Sequence, residues 1–301
     1  MPVFPMPVFP MPVFPIPVFP MPALPIPVLP IPVLPMPVNL VIFDLDGTLV
    51  DTSVDINIAL NHALGSVGLP GISVEKTVEC VGEGVRKLIE KVLADSGDNA
   101  SRGDNVLRVD NVLRMDNVLR MDNASRMKMV VPVMDSFLAY YASHISDNSC
   151  AYPGVLETLD ALKGRKKAVV TNKKDDLAEK LLDALGLSRH FDLVLGPDRV
   201  AEKKPSPEPL IKAMKTLGCV PSETVMVGDS AFDMEAAERA GIKTVFAAYG
   251  YGHGGATPRV NGGLAPRVNG GATLVNSEPA RRADYVIRVD MRELLPILLI
   301  I

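Results

Sequence analysis

Six short apolar runs, at residues 40–43, 168–170, 193–195, 224–227, 244–247 and 285–287, are separated by segments with the apolar spacing of amphipathic helices. Runs this short are strands, and their alternation with helices is the pattern of a parallel sheet covered on both faces. The expected fold class is therefore α/β, a doubly wound parallel sheet with a Rossmann-like core. Residues 55–150 break the alternation, since they carry helical periodicity without a clear buried strand. They predict a helical cap inserted after the first strand, leaving 38–54 and 151–301 as the core. The chain is expected to leave the core near residues 51–53 and to return at Pro153 and Gly154.

Three repeated tracts interrupt this plan. Residues 1–37 repeat Met-Pro-Val-Phe-Pro and close variants such as Ile-Pro-Val-Leu-Pro. Proline at that density removes amide donors and clashes with a preceding helical turn, so the tract is expected to be extended or disordered and cannot be a membrane-spanning helix. A hexad, Asp-Asn-Val-Leu-Arg-Met, lies within an insertion at about 99–126. Its period matches neither 3.6 nor 3.5 residues per turn, so a helix there would rotate its apolar stripe. Pro-Arg-Val-Asn-Gly-Gly occurs twice within 257–273, in turn-forming residues that predict a surface loop. These periods are too short for solenoid units, and the tracts read as in-frame expansions.

The 301 residues suffice for one large core and a smaller domain. A net charge of −4, with no separate Lys/Arg block, argues against a nucleic-acid partner and for a small substrate. Cys80, Cys150 and Cys219 show neither disulfide nor zinc spacing, which fits a reducing cytoplasm. No membrane association is expected, and the oligomeric state is left open.

The chemistry concentrates at strand ends. Asp44-Leu45-Asp46-Gly47-Thr48 directly follows the first apolar run, where ligands bind in open α/β sheets. Asp44 and Asp46, two residues apart, can face one crevice, while Gly47 admits close backbone approach to a phosphoryl group. Asp229 and Asp233 follow the run at 224–227. If both acidic ends converge, each close carboxylate pair repels by about 4 kcal/mol at 4 Å and an effective dielectric near 20, so a cation is required. Oxygen-only ligands beside a phosphate favour Mg²⁺. Thr171-Asn172-Lys173 and Lys204-Pro205 end two further strand regions, offering a hydroxyl and a positive charge. Lys173, Lys174 and Lys203 read as solvated surface lysines. Arg86 and Lys87, after Gly82-Glu83-Gly84, could meet a substrate carboxylate or could simply begin a helix.

These four motifs resemble the haloacid dehalogenase superfamily, and specifically its phosphoglycolate phosphatase-like members. The resemblance covers most of 38–299 outside the internal repeats. It implies that Asp44 is the nucleophile and a Mg²⁺ ligand, forming an aspartyl-phosphate that water cleaves. Asp46 would be the general acid and base, with its backbone carbonyl on the metal. Asp229 would be a direct metal ligand, and Asp233 a support of the metal shell. Gly47, Thr48, Thr171, Asn172 and Lys204 would hold the phosphoryl group, and Arg86 the far end of the substrate.

The substrate so implied is 2-phosphoglycolate, a small phosphorylated metabolite. Pyrophosphatase, phosphomutase and other small-molecule phosphatase activities stay open, as does a catalytically idle interaction protein that uses the proline-rich tract. Met36 precedes the first strand, so residues before it should be dispensable. A chain begun at Met36 is expected to stay soluble and active, and an insoluble or inactive product would overturn this.

Overall fold

The computed structural model describes residues 37–98, 123–252, 259–260, 263–264, 282–288 and 290–300. The proline-rich tract and the hexad repeat lie outside the described residues, as does most of the third tract. Of the latter, β8 (Arg259–Val260) and β9 (Gly263–Leu264) form a two-stranded antiparallel pair where a loop is expected.

In chain order the preceding elements are β1 (Leu40–Phe43), β2 (Val50–Asp51), α1 (Ser53–Ser66), α2 (Val74–Cys80), α3 (Val85–Asp98), α4 (Asn123–Met127) and α5 (Val130–Ser143). There follow β3 (Cys150–Ala151), α6 (Val155–Ala161), β4 (Lys166–Val170), α7 (Asp175–Ala184), β5 (Leu193–Leu195), α8 (Glu208–Leu217), β6 (Thr224–Gly228), α9 (Ala231–Ala240) and β7 (Lys243–Ala247). After the short hairpin come β10 (Tyr285–Ile287) and α10 (Leu294–Ile297).

All six apolar runs enter one parallel sheet, ordered β10-β7-β6-β1-β4-β5. The strand period of two sorts their side chains onto opposite faces. Val41 and Phe43 of β1 join Val169 and Val227 under α6, α7 and the helices of the 53–143 region. Leu40 and Ile42 point the other way, packing with Met226 against Leu210 and Met214 of α8 and Ala236 and Ala237 of α9. Each such side chain taken fully out of water contributes about 1.5–3 kcal/mol.

β4 starts two residues earlier than its apolar run, at a pair of lysines. Lys167 is buried there because its ammonium donates to the carbonyls of Leu162 and Arg165, both at 3.1 Å. Apolarity alone does not reveal such a strand residue.

Register places the site. Phe43 lies opposite Val169 on one side and Val227 on the other, so the residues that follow, Asp44, Thr171 and Asp229, leave the sheet at one edge. The Asp44 amide still donates to Val227 O at 2.9 Å, extending the ladder up to the carboxylate.

The chain leaves and re-enters the sheet layer through an antiparallel ladder of β2 with β3, where the sequence suggests only hinges. Between them α1 packs along α5, and Leu60, Leu64, Val133, Phe137 and Tyr141 belong to the same buried cluster as one face of the sheet. Asp55 on α1 clips the return: its carboxylate accepts from the amides of Asn148 and Ser149 at 2.8–3.0 Å, from Asn148 Nδ2 at 2.8 Å and from Ser149 Oγ at 2.7 Å. Among the described residues no helix is long and apolar enough to cross a membrane.

Asp55→Ala leaves several buried donors without an acceptor, at about 1–3 kcal/mol each. It is expected to lower the unfolding free energy by about 3 kcal/mol in a denaturant titration, with Asp55→Asn milder. Unchanged stability in both variants would show that the clip is not a fastening.

Candidate active site

The loop from β1 to β2 is wound around the carbonyl of Leu45, which accepts from Leu49 and Val50 at 3.0 Å and from Thr48 at 3.3 Å. Gly47 makes this turn with φ +86°, and a Cβ there would run into the Asp229 carboxylate and the ring of Tyr251. The turn holds Asp44 and Asp46 on one wall of a cleft.

Lys204 sits behind Asp44, with its side chain only 2% exposed. Its ammonium has three close oxygens: Asp44 Oδ1 at 2.8 Å, Asp233 Oδ1 at 2.6 Å and Val170 O at 2.7 Å. The contacts to Asp233 and Val170 are hydrogen bonds, and the one to Asp44 is an ion pair. The second Asp233 oxygen closes a capping box at the start of α9, accepting from the Ser230 amide at 3.0 Å and its hydroxyl at 2.5 Å. Asp229 accepts a hydrogen bond from Thr48 Oγ1 on one oxygen at 2.9 Å and from the Tyr251 amide on the other at 2.7 Å. Asp44, Asp229 and Asp233 each bring a carboxylate oxygen within 4.8 Å of the others.

Thr171 is buried on the cleft, and Asn172 beside it donates to Gly82 O at 2.9 Å and Lys204 O at 3.0 Å. The cleft runs from Asp44 and Asp46 beneath Ile56, Leu88 and Phe137, and a second recess on the other side of the same two carboxylates reaches Asp229, Phe232 and Tyr251.

Several sequence expectations are corrected here. Thr48 does not face the cleft; it is fully buried and orients Asp229. Gly47 is demanded by the packing of Asp229 and Tyr251 rather than by a free approach from the cleft. The Asp46 carboxylate is turned from the other three aspartates towards Lys173 and Thr52, so it adds no side-chain oxygen to their cluster. Arg86 is 57% exposed on α3 and pairs with Glu90 at 3.5 Å, away from the cleft lining.

Lys173 is not a surface lysine. Its side chain is 6% exposed, with the ammonium 3.0 Å and 3.2 Å from the Asp46 oxygens and 2.8 Å from the Tyr141 hydroxyl. Lys203 likewise reaches inward, donating to Glu83 O.

Sequence reasoning also missed Tyr251, whose hydroxyl accepts from the Thr52 amide at 2.6 Å and lies 2.9 Å from Asp51. Its glycine neighbours, which could suggest a dinucleotide loop, are small for packing reasons. A Cβ on Gly250 or Gly252 would overlap Asp229 itself.

Residues 41–247 match the family model described as Haloacid dehalogenase-like hydrolase. A phosphoglycolate phosphatase of Aquifex aeolicus is 37% identical over 216 residues, 71% of this chain and 86% of that protein. One from Neisseria meningitidis is 34% identical over 252 residues, 83% and 89% of the two chains. The crystal structure of a predicted phosphoglycolate phosphatase from Haemophilus somnus superposes with a TM-score of 0.67 at 28% identity, covering 86% of this chain and 97% of the other.

Crowded carboxylates leave an electrostatic signature. Burial foremost, then the Asp233 charge, against the opposing pull of Lys204, pushes the Asp44 carboxyl from 3.8 up to about 7. Burial and the charges of Asp44 and Asp233 hold Asp229 well above the usual carboxylate range. Both groups bind protons more tightly folded than unfolded, so their ionisation destabilises the fold, increasingly as pH rises from 3.8 through about 7. In chelator, Tm is therefore expected to fall between about pH 5 and pH 8. Asp44→Asn, which removes one of the charges, is expected to melt above the unsubstituted chain at the upper pH. Identical melting of the two chains at both pH values would contradict this electrostatic picture.

Proposed function

This chain belongs to the haloacid dehalogenase-like hydrolase family and is a phosphatase, and we propose that it hydrolyses 2-phosphoglycolate to glycolate and phosphate through an aspartyl-phosphate on Asp44, with Mg²⁺ as cofactor. The observation that carries this reading is the position of Asp44. It stands at the mouth of the cleft, backed by a buried ammonium and flanked by a second carboxylate free of the acidic cluster.

The donor set suits a hard divalent cation. It consists of carboxylate oxygens alone, without His or Cys, and burial with mutual repulsion raises the proton affinity of Asp44 and Asp229, which a cation between them would offset. Asp44 and Asp229 would hold the ion directly, with Asp233, tied to Lys204 and to the first turn of α9, supporting them from behind. When bound, Mg²⁺ supplies charge neutralisation for Asp44 and for the phosphoryl oxygens.

The chain's own groups account for the remaining roles. An Asp44 oxygen attacks phosphorus as the ester P–O bond breaks, and the leaving oxygen takes a proton from Asp46. Asp46, now ionised, accepts a proton from the water that attacks phosphorus next, releasing phosphate and restoring Asp44. Thr171 supplies a hydroxyl towards the phosphoryl oxygens, and Lys204 keeps the nucleophile oriented while offsetting its charge. The helices above the cleft limit bulk solvent around the site, so the attacking water is the one Asp46 activates. The spacing of Cys80, Cys150 and Cys219, which suggests no disulfide framework, supports a cytoplasmic placement.

A panel of 2-phosphoglycolate, sugar phosphates and pyrophosphate tests the reading. Phosphate release in Mg²⁺ is expected to be fastest from 2-phosphoglycolate, to stop in chelator, and to fall at least about 10³-fold in Asp44→Asn. Faster turnover of sugar phosphates or pyrophosphate would reject the substrate, and turnover surviving exhaustive chelation would reject the metal.

A further inference from the structure

Lys173 is a buried charge that the reaction just described leaves without a task. The phosphoryl end of the cleft has Lys204, Thr171 and Asn172, whereas Lys173 stands on the other side of Asp46, towards the helices. Its ammonium is held by both Asp46 oxygens at 3.0 Å and 3.2 Å, by the Tyr141 hydroxyl at 2.8 Å, and over the Tyr141 ring at 4.6 Å. Tyr141 comes from α5 and Asp46 from the loop after β1, so the lysine is gripped by the helical layer and by the sheet together.

We propose that Lys173 is the specificity-determining residue of this site. It receives the carboxylate of a short phosphorylated hydroxy acid, exchanging one Asp46 oxygen for a substrate oxygen. This rests on the phosphatase reading above and names what selects the substrate within it.

The geometry follows from Asp46. To serve the ester oxygen, its carboxylate must lie about 3 Å from that atom. Lys173 is 3.0 Å from the same carboxylate. In 2-phosphoglycolate a single methylene separates the ester oxygen from the carboxylate carbon, which puts the substrate's charged oxygens about 3–4 Å from the ester oxygen, within reach of the ammonium.

Elsewhere the cleft could not accept that charge. Ile56, Leu88 and Phe137 offer no donor, and Lys174, the other lysine of the lining, has no ion pair with Asp46 and is separated from Lys173 by the test below. Moving one ammonium proton from Asp46 to the substrate also turns the vacated Asp46 oxygen towards the ester oxygen it must serve. A substrate with a neutral tail offers nothing for the exchange and leaves Asp46 bound to Lys173. Arg86, the cation suggested by sequence, is exposed on α3 and does not compete for this role.

The test compares 2-phosphoglycolate with 2-hydroxyethyl phosphate, a neutral-tailed ester of similar length, in the full chain with Mg²⁺. Lys173→Gln is expected to lower the ratio of the two kcat/KM values by about 10–100-fold, mostly through KM for the acid. Tyr141→Phe, which keeps the ring and removes the hydroxyl, should lower the ratio less, and Lys174→Gln should leave it unchanged. Hydrolysis of the neutral ester by Lys173→Gln reports that the variant is folded.

Equal losses on both esters in Lys173→Gln would overturn the inference, leaving Lys173 a positioning residue for Asp46. Collapse of the ratio in Lys174→Gln alone would move the role to that residue. Should the unsubstituted chain itself fail to prefer 2-phosphoglycolate, the proposed substrate falls, and this inference with it. A preferred acid with an unchanged ratio in Lys173→Gln sinks the inference alone.

Discussion

The confinement of Asp44, Asp229 and Asp233 in one cluster, with a single buried ammonium against the first and the last of them, is the constraint on which the rest of this structure depends. Three carboxylates whose oxygens approach within 4.8 Å repel one another, and Lys204 can neutralise only part of that charge. The arrangement costs stability, as the raised proton affinity of Asp44 and Asp229 records. Carboxylates held this close concentrate negative potential at one point of the fold, a pattern that recurs at functional sites.

Holding the cluster in place needs grips on every side. Asp233 is fixed by the α9 capping box and Lys204, and Asp229 by one hydroxyl and one amide. The glycines at 47, 250 and 252 are part of the same grip, because they let two backbone segments close around Asp229 with no Cβ in the way. Each support belongs to a strand-end loop, so the parallel sheet's register decides whether the cluster forms at all.

Asp46 belongs to a second, separate electrostatic unit. It is tied to Lys173 and Thr52, through Lys173 to Tyr141 on α5, and through Thr52 to Tyr251. The proposed nucleophile and acid/base therefore sit two residues apart in the chain but answer to different neighbours. This is how two aspartates of one short loop can acquire different tasks. The Asp46 unit also couples the helical layer to the sheet directly at the reacting end of the cleft.

Much of this was legible in the residues. The six apolar runs are the six strands of the sheet, because burial on both faces leaves a continuous apolar signature in the chain. Asp44, Thr171, Lys204 and Asp229 stand out because strand-end residues of a parallel sheet converge wherever the strands pair in register. What the chain could not disclose was orientation: that Thr48 serves Asp229, that Arg86 faces solvent, and that Lys173 is buried while Lys174 beside it only lines the cleft. Period and residue type determine which element a side chain rides on. Which partner lies across from it, often more than a hundred residues away, is decided only when the helices close over the sheet.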